Sequence, residues 1–221
     1  AIFIESMLKN GVYPVVKHFP GNNADDPHLG LPVIDFDVER TKEVLLFPFD
    51  NIENKEEIGV LVAHSVVPAL FNKTEEPIPS CLSKTVVSNV LKNQLGYKGL
   101  IFSDDLLMAA LQSNGYESVE YISMAIKAGI NVLMIAQKEY IPFINEIVKL
   151  CQSDIELVNQ IEISAKKIID FKIQHGLLNY SEGKVVLPNV LKEEELVEYQ
   201  NMKYDEFLEA YNQGKDFYQM Y

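Results

Sequence analysis

The apolar positions along the chain form two kinds of segment. Four short runs are almost continuously apolar, which is typical of strands in a parallel sheet that is covered on both faces. These runs are YPVVKHF (13–19), GVLVAH (59–64), GLIFSD (99–104) and NVLMIA (131–136). Between them, apolar residues recur at helical spacing. Strands that alternate with helices in this way predict an α/β fold built from β/α units.

Two of the helical segments have recognisable ends. In the segment 83–96, Ser83 precedes the first apolar residues and is a predicted N-cap, and Gly96 follows the last of them. The segment 116–129 ends in the same way, at Gly129. Both segments are therefore predicted to be amphipathic helices that pack on the sheet.

Polar residues occur where the predicted strands end. Lys17 and His18 end the first run, His64 ends the second, and Asp104 and Asp105 follow the third. In β/α barrels the residues that carry the chemistry lie at these C-terminal strand ends. Four strands are half of what a TIM-type (β/α)8 barrel requires. The chain is therefore predicted to form a partial barrel, about half of the complete fold.

The composition changes after residue 178, which suggests two regions. Residues 1–178 are predicted to be the partial barrel. Residues 179–189 are rich in polar and turn-forming residues and are predicted to be a linker, and the acidic remainder up to 221 is predicted to be a helical extension. Its apolar stripe favours a helix that packs on the body of the protein, and a partner surface is the alternative.

Charge and hydropathy exclude two classes of partner. The 221 residues carry a formal net charge of −13, so the surface repels phosphate backbones and we expect no nucleic-acid binding. No run approaches the roughly 18 apolar residues of a membrane span. The chain opens with AIFIESMLKNG, without an initiating Met or a signal peptide. We therefore expect that its beginning is missing, and the compartment cannot be predicted.

The adjacent carboxylates Asp104 and Asp105 are the first candidates for chemistry. Carboxylates at the end of a buried strand are costly unless they are solvated or paired. Since neighbouring strand residues point to opposite faces, only one of the two is expected to face a barrel mouth. The alternative is structural, because either carboxylate could cap a helix that begins in SDDLLMAAL.

The pair Asp26 and His28 is the second candidate. In an extended segment, which Pro27 favours, both side chains would lie on one face, and the carboxylate would orient the imidazole for general acid/base work. The alternative is a polar surface loop. The spacing of the histidines matches no compact metal signature, so we predict no metal or cofactor. His64 alone is more often a core or rim histidine than a ligand.

Several motifs taken in order resemble a known family. They are KHFPGNNADDPHLGLP (17–32), VAHSVVPAL (62–70), PSCLS (79–83) and GYKGLIFSDDLLM (96–108). Their order and spacing resemble the N-terminal barrel domain of family 3 glycoside hydrolases, in particular the β-N-acetylhexosaminidase branch. The resemblance covers residues 1–178.

The resemblance implies an enzyme that hydrolyses terminal β-linked N-acetylglucosamine with retention, for example from cell-wall fragments during peptidoglycan recycling. It implies that Asp104 is the nucleophile, that His28 is the acid/base, and that Asp26 orients His28. Lys17 and His18 match residues that hold the sugar hydroxyls. His64 matches a residue of the active-site rim, so the resemblance implies that it also binds substrate.

Two alternatives to hydrolysis remain open at this point. One is a phosphorylase acting on the same sugar, because a histidine acid/base leaves less negative charge in the site to oppose phosphate. The other is a non-catalytic half-barrel that binds sugar or a partner. Open strand edges of a half-barrel also predict self-association.

Overall fold

The computed structural model describes residues 2–23, 25–112, 118–136, 140–181 and 184–186. The chain divides into two compact units. Among the helices in the described ranges, none is both long and apolar enough to cross a membrane.

A parallel four-stranded sheet forms the centre of the first unit, residues 1–168. Its strands are β1 (Val15–Phe19), β2 (Gly59–Val62), β3 (Ile101–Asp105) and β4 (Val132–Met134). They lie in the order β1-β2-β3-β4, and each neighbouring pair is parallel. The four predicted strands and the α/β class are confirmed. Because all strands run the same way, their C-terminal ends meet at one edge.

Helices connect the strands. In chain order they are α1 (Ile2–Lys9), α2 (Val38–Arg40), the π-helical segment Thr41–Leu46, α3 (Phe47–Asp50), the 3-10 turns Pro68–Leu70 and Ser80–Leu82, the π-helix Thr85–Gln94, α4 (Ala109–Gln112), α5 (Ser118–Ala128), α6 (Ile141–Cys151) and α7 (Ile155–Gln174). Long loops separate β1 from α2 and α3 from β2, and the first of these carries Asp26 and His28.

The predicted helix ends are confirmed by the local geometry. The Ser83 hydroxyl accepts a hydrogen bond of 3.2 Å from the amide of Val86, which is three residues further along the chain and is the second residue of the π-helix. This bond satisfies one of the amides that a helix start leaves without a partner. Gly96 and Gly129 have φ values of 77° and 105°, the left-handed conformation in which glycine ends a helix without a steric penalty.

The core of this unit lies on both sides of the sheet. All four residues of β2 are buried, as expected for a central parallel strand. On one side, Phe19 at the end of β1 packs edge-to-face against Phe49, with ring centroids 5.0 Å apart. The apolar residues of the π-helix and α5 belong to the same core. This packing fixes the strand ends that carry the polar side chains.

The second unit comprises residues 169–221. In it, β5 (Asn179–Ser181) and β6 (Lys184–Val186) pair as an antiparallel hairpin, at the position where we predicted a linker. The predicted helical extension beyond the hairpin lies outside the described residues, and the predicted boundary at residue 178 stays a prediction.

Candidate active site

The C-terminal edge of the sheet brings together residues from three strands. His18 of β1 and Asp104 of β3 face each other, with His18 Nε2 4.0 Å from Asp104 Oδ2. His64 follows β2 and lies between them in strand order. Lys17 is exposed, and its charge acts on His18. The predicted cluster of Lys17, His18, His64 and Asp104 at this edge is therefore present.

The two adjacent carboxylates differ in what they contact. Asp105 Oδ1 accepts hydrogen bonds from the Leu107 amide at 3.1 Å and from the Ala136 amide at 3.0 Å. It therefore closes the turn before α4 and ties the end of β3 to the segment after β4. Asp104 Oδ1 accepts a hydrogen bond from the neighbouring Asp105 amide at 2.9 Å, and Asp104 Oδ2 faces His18. The structural alternative from the sequence therefore fits the contacts of Asp105. The catalytic role predicted for Asp104 stays a prediction.

Burial and charge act against each other at His18. Desolvation lowers the pKa of its imidazole, which is the largest effect, whereas the Asp104 carboxylate raises that pKa and the Lys17 ammonium lowers it. The imidazole and the Asp104 side chain keep 29% and 19% of their surface exposed, so both are accessible from the mouth. A neutral histidine can donate one hydrogen bond and accept another, and the carboxylate beside it can accept more, so the pair can bind a ligand with hydroxyl groups.

His64 lies deeper than the other histidines of the edge. Its side chain is 1% exposed. Its Nε2 is 2.9 Å from the Asp105 carbonyl oxygen, and its Nδ1 is 3.1 Å from the Cys81 sulfur. Desolvation is the main cause that lowers the pKa of this imidazole. Because both ring nitrogens have protein partners, the structure does not place His64 at the rim that the resemblance implied.

Asp26 and His28 contact each other as predicted, but in a turn and not in an extended segment. Asp26 Oδ1 is 2.7 Å from His28 Nδ1 and also accepts the His28 amide at 2.9 Å. The Leu29 amide donates to the Asp26 carbonyl, which closes a turn with Pro27 at its second position. Proline favours that position because its φ is preset, and aspartate favours the first because its side chain bonds the backbone two residues on.

The loop that carries this pair is tied to the strand ends. The Ala110 amide of α4 donates to the Pro27 carbonyl at 3.1 Å. The Ser65 hydroxyl, one residue after His64, donates to the Gly21 carbonyl at 2.8 Å. The loop is therefore fixed against the elements that follow β2 and β3, while the His28 side chain stays 74% exposed. Hydrogen bonds to His28 keep the pKa of Asp26 below its usual value.

Sequence reasoning missed two partners in this site. Cys81 was expected to be no more than a buried thiol, and its contact with His64 has no signal in the sequence because 17 residues separate the two. The Ala136 amide, which holds Asp105, lies after a strand that ends without polar side chains. In the described ranges, no group of three or more His, Cys, Asp or Glu side chains is arranged to hold a metal ion.

A parallel β/α sheet with a carboxylate, two histidines and a lysine at its C-terminal edge has the design of a β/α-barrel enzyme domain. The family model for the N-terminal domain of glycosyl hydrolase family 3 matches residues 1–171, and the chain belongs to this family. The predicted fold, about half of a TIM-type barrel, is confirmed by this match and by the four-stranded parallel sheet.

Comparisons with individual proteins agree with this family assignment. The β-hexosaminidase of Nitrosomonas eutropha is 32% identical over 128 residues, which cover 57% of this chain and 35% of that protein. CbsA from Thermotoga neapolitana has a TM-score of 0.68 at 30% identity, over 76% of this chain and 38% of its own. The β-N-acetylglucosaminidase from Thermotoga maritima has a TM-score of 0.62 at 25% identity, over 79% of this chain and 41% of its own. The chain thus spans well under half the length of these relatives.

The lowered histidine pKa values predict how stability depends on pH. Because the folded-state pKa of His64 lies below its unfolded value of about 6.5, the unfolded state binds the proton more readily. The free energy of unfolding should be highest above pH 6.5 and should fall as the pH drops toward the folded pKa, by about 1.4 kcal/mol per unit of depression. Urea titrations at pH 7.5 and 5.5 measure this loss.

The matched variant for this measurement is His64→Gln, compared with the unmodified chain. His64→Gln should show a smaller loss between the two pH values, because its amide does not titrate. An unchanged pH dependence in His64→Gln would show that another group causes the loss.

Proposed function

We propose that this chain carries the catalytic residues of a retaining glycoside hydrolase that removes terminal β-linked N-acetylglucosamine, with cell-wall fragments as substrates. The observation that supports this most is the difference between the adjacent carboxylates. The Asp105 carboxylate accepts hydrogen bonds from two backbone amides. The Asp104 carboxylate instead faces His18 at the C-terminal edge of the sheet, where the catalytic residues of barrel enzymes lie.

In the proposed reaction, Asp104 attacks the anomeric carbon while His28 protonates the leaving oxygen. The products of this step are a glycosyl ester on Asp104 and the released alcohol. His28, now neutral, takes a proton from water, the water displaces Asp104, and the sugar leaves with a retained configuration. Retaining glycosidases generally use one residue as the nucleophile and a second as the acid/base, and in most of them both residues are carboxylates.

The contact of Asp26 with His28 supports the acid/base role. A carboxylate only accepts hydrogen bonds, so the proton of the imidazole at this contact lies on Nδ1. Nε2 is then the atom that gives a proton to the leaving oxygen and takes one from water. The hydrogen bonds from His28 hold the pKa of Asp26 low, so Asp26 remains a carboxylate and keeps the ring in this tautomer.

For substrate binding we propose Lys17 and His18. Lys17 is exposed and His18 partly exposed, and they are neighbours at the end of β1. The Lys17 ammonium donates up to three hydrogen bonds, and a neutral His18 donates one and accepts one, which suits the hydroxyls of a sugar ring. His64 is buried, and we do not propose that it binds the sugar.

Product analysis with the chain itself tests the proposed function. Nitrophenyl β-N-acetylglucosaminide should release nitrophenol and free N-acetylglucosamine, and the matching β-glucoside should react much more slowly. In the presence of inorganic phosphate, a sugar phosphate in place of the free sugar would identify a phosphorylase. Saturable binding of N-acetylglucosamine without turnover would identify a non-catalytic half-barrel, and neither binding nor turnover would contradict the proposal.

We also propose that the chain associates with itself through its open edges. In the described residues, β1 and β4 end the sheet and neither has a strand along its outer edge. Beside β4 lies an apolar cavity of about 630 Å³, formed with α5, α6 and α7. Two copies related by a twofold axis along the strands would place β4 of each beside β1 of the other, which gives eight parallel strands.

Size-exclusion chromatography with light scattering should therefore detect dimers or larger species. Ile144→Lys should weaken this association, because Ile144 lines the cavity beside β4 and is 49% exposed. Val44→Lys is the matched control, since Val44 is equally exposed at 49% but lies in the Thr41–Leu46 segment. A stable monomer that unfolds cooperatively would contradict the prediction.

A further inference from the structure

His64 and Cys81 form a buried pair at the base of the proposed site. Cys81 is 0% exposed and His64 is 1% exposed. Cys81 lies in the short turn Ser80–Leu82, whose backbone is itself held by the strand end, because the Cys81 amide donates to the Ala63 carbonyl at 3.1 Å. Side chains this deeply buried do not reach a substrate without rearrangement.

The contacts of His64 define its protonation. The Asp105 carbonyl at 2.9 Å only accepts, so His64 Nε2 carries the proton and donates it. His64 Nδ1 is then an acceptor, and the Cys81 thiol at 3.1 Å is its donor. Desolvation lowers the pKa of His64 and raises the pKa of Cys81, and both shifts favour this neutral pair. The charged groups that act on His64 are Asp104, Asp105 and His18.

Asp105 is the residue that this pair holds. Its carbonyl accepts from His64, and its carboxylate accepts from the amides of Leu107 and Ala136. Its own amide donates to Asp104 Oδ1 at 2.9 Å. Hydrogen bonds thus hold Asp105 at its carbonyl and at its carboxylate. Its amide, the other polar group of its backbone, donates to Asp104, the proposed nucleophile.

We propose that His64 and Cys81 are positioning residues: they hold the Asp105 carbonyl and thereby fix the amide that orients the Asp104 carboxylate for attack. This inference rests on the proposed function, and it replaces the substrate-binding role that the resemblance implied for His64. Neither side chain touches the sugar. Their effect is on the geometry of Asp104, and misplacing a reacting group by about 1 Å can cost about 100-fold in rate.

Matched variants separate this role from a substrate contact. His64→Gln keeps an N–H donor at nearly the same distance from the backbone, and His64→Phe keeps a ring without the donor. Cys81→Ser keeps a donor toward Nδ1, and Cys81→Ala removes it. Cys151→Ala, at the end of α6, controls for the loss of a thiol elsewhere.

We expect His64→Phe to lower kcat about 100-fold with KM within about threefold of the parent, and His64→Gln to recover most of the loss. Cys81→Ser should match the parent, and Cys81→Ala should lie between the parent and His64→Phe. A rise in KM with kcat unchanged would show that His64 binds substrate. Equal losses in His64→Gln and His64→Phe would also overturn the proposal.

A measurement without substrate keeps this test separate from the proposed function. In the parent chain, ¹⁵N spectra should show the His64 ring protonated at Nε2 across pH 6 to 8. The ¹³C signal of the Asp104 carboxyl should shift in His64→Phe and Cys81→Ala but not in His64→Gln, Cys81→Ser or Cys151→Ala. If the chain shows no turnover, the proposed function fails and these spectra still decide the positioning role. An Asp104 signal that is unchanged in His64→Phe would overturn it.

Discussion

Asp104→Asn should abolish turnover of nitrophenyl β-N-acetylglucosaminide, with a loss on the order of 10⁴- to 10⁶-fold, as is typical when a nucleophile is removed. Asparagine keeps the shape of the side chain but its amide cannot form the glycosyl ester. Within the described residues, the Asp104 side chain accepts one backbone hydrogen bond, from the Asp105 amide, and asparagine can accept the same bond, so the fold should be little affected. Initial rates and thermal melting of the purified variant measure both effects.

Asp105→Asn is the control that the structure provides for this experiment. Asparagine retains the Oδ1 acceptor for the Leu107 and Ala136 amides, so measurable activity should remain. Asp105→Ala removes both bonds, one to a partly buried amide and one to an exposed amide, and should lower the free energy of unfolding by about 0.5–1.5 kcal/mol. If Asp105→Asn were inactive and Asp104→Asn active, the assignment of the two carboxylates would be reversed.

His28→Ala should reduce activity to different extents on two substrates that differ only in their leaving groups. Loss of general acid/base help commonly costs about 100- to 10,000-fold. Nitrophenolate leaves with little need for a proton, whereas a sugar alkoxide needs one. The variant should therefore lose most of its activity on a disaccharide but still form the glycosyl ester from the nitrophenyl glycoside. Because the second step lacks its base, the ester should accumulate, and stopped-flow absorbance should show a burst of nitrophenol.

Asp26→Ala should show the same pattern more weakly. The imidazole remains in this variant, but it loses the 2.7 Å contact that holds its tautomer. Mutation of Asp25, which lies next to Asp26 and contacts Asn23, is the matched control, and Asp25→Ala should show no burst. Equal losses on both substrates without a burst would mean that His28 binds the sugar and that the acid is another residue.

The sequence was most informative where a pattern has a single physical meaning. A continuous apolar run is typical of a covered parallel strand, and all four strands were predicted from such runs. Polar residues at the C-terminal ends of the first and third runs predicted that His18 and Asp104 lie close together. Glycine after a helical segment was equally reliable, because Gly96 and Gly129 both adopt the left-handed conformation that ends a helix.

Patterns with two physical meanings were resolved only by the structure. The segment around Pro27 suits an extended chain or a turn, and the turn forms because Asp26 also bonds the His28 amide. Strand alternation placed Asp104 and Asp105 on opposite faces but did not say which faced the mouth. The contact of His64 with Cys81 depends on how two loops pack, which no local pattern describes.

The hydrogen bond between the Ala110 amide and the Pro27 carbonyl has a consequence for protein engineering. Every residue proposed here for chemistry or positioning lies between Lys17 and Asp105, and this bond fastens their most exposed loop to the helix directly downstream. The segment 13–112 ends before β4 and before the Ala136 amide that holds Asp105. A segment exchange between barrels should therefore transfer residues 13–136 together, so that all four strands and both partners of the Asp105 carboxylate move with the proposed site.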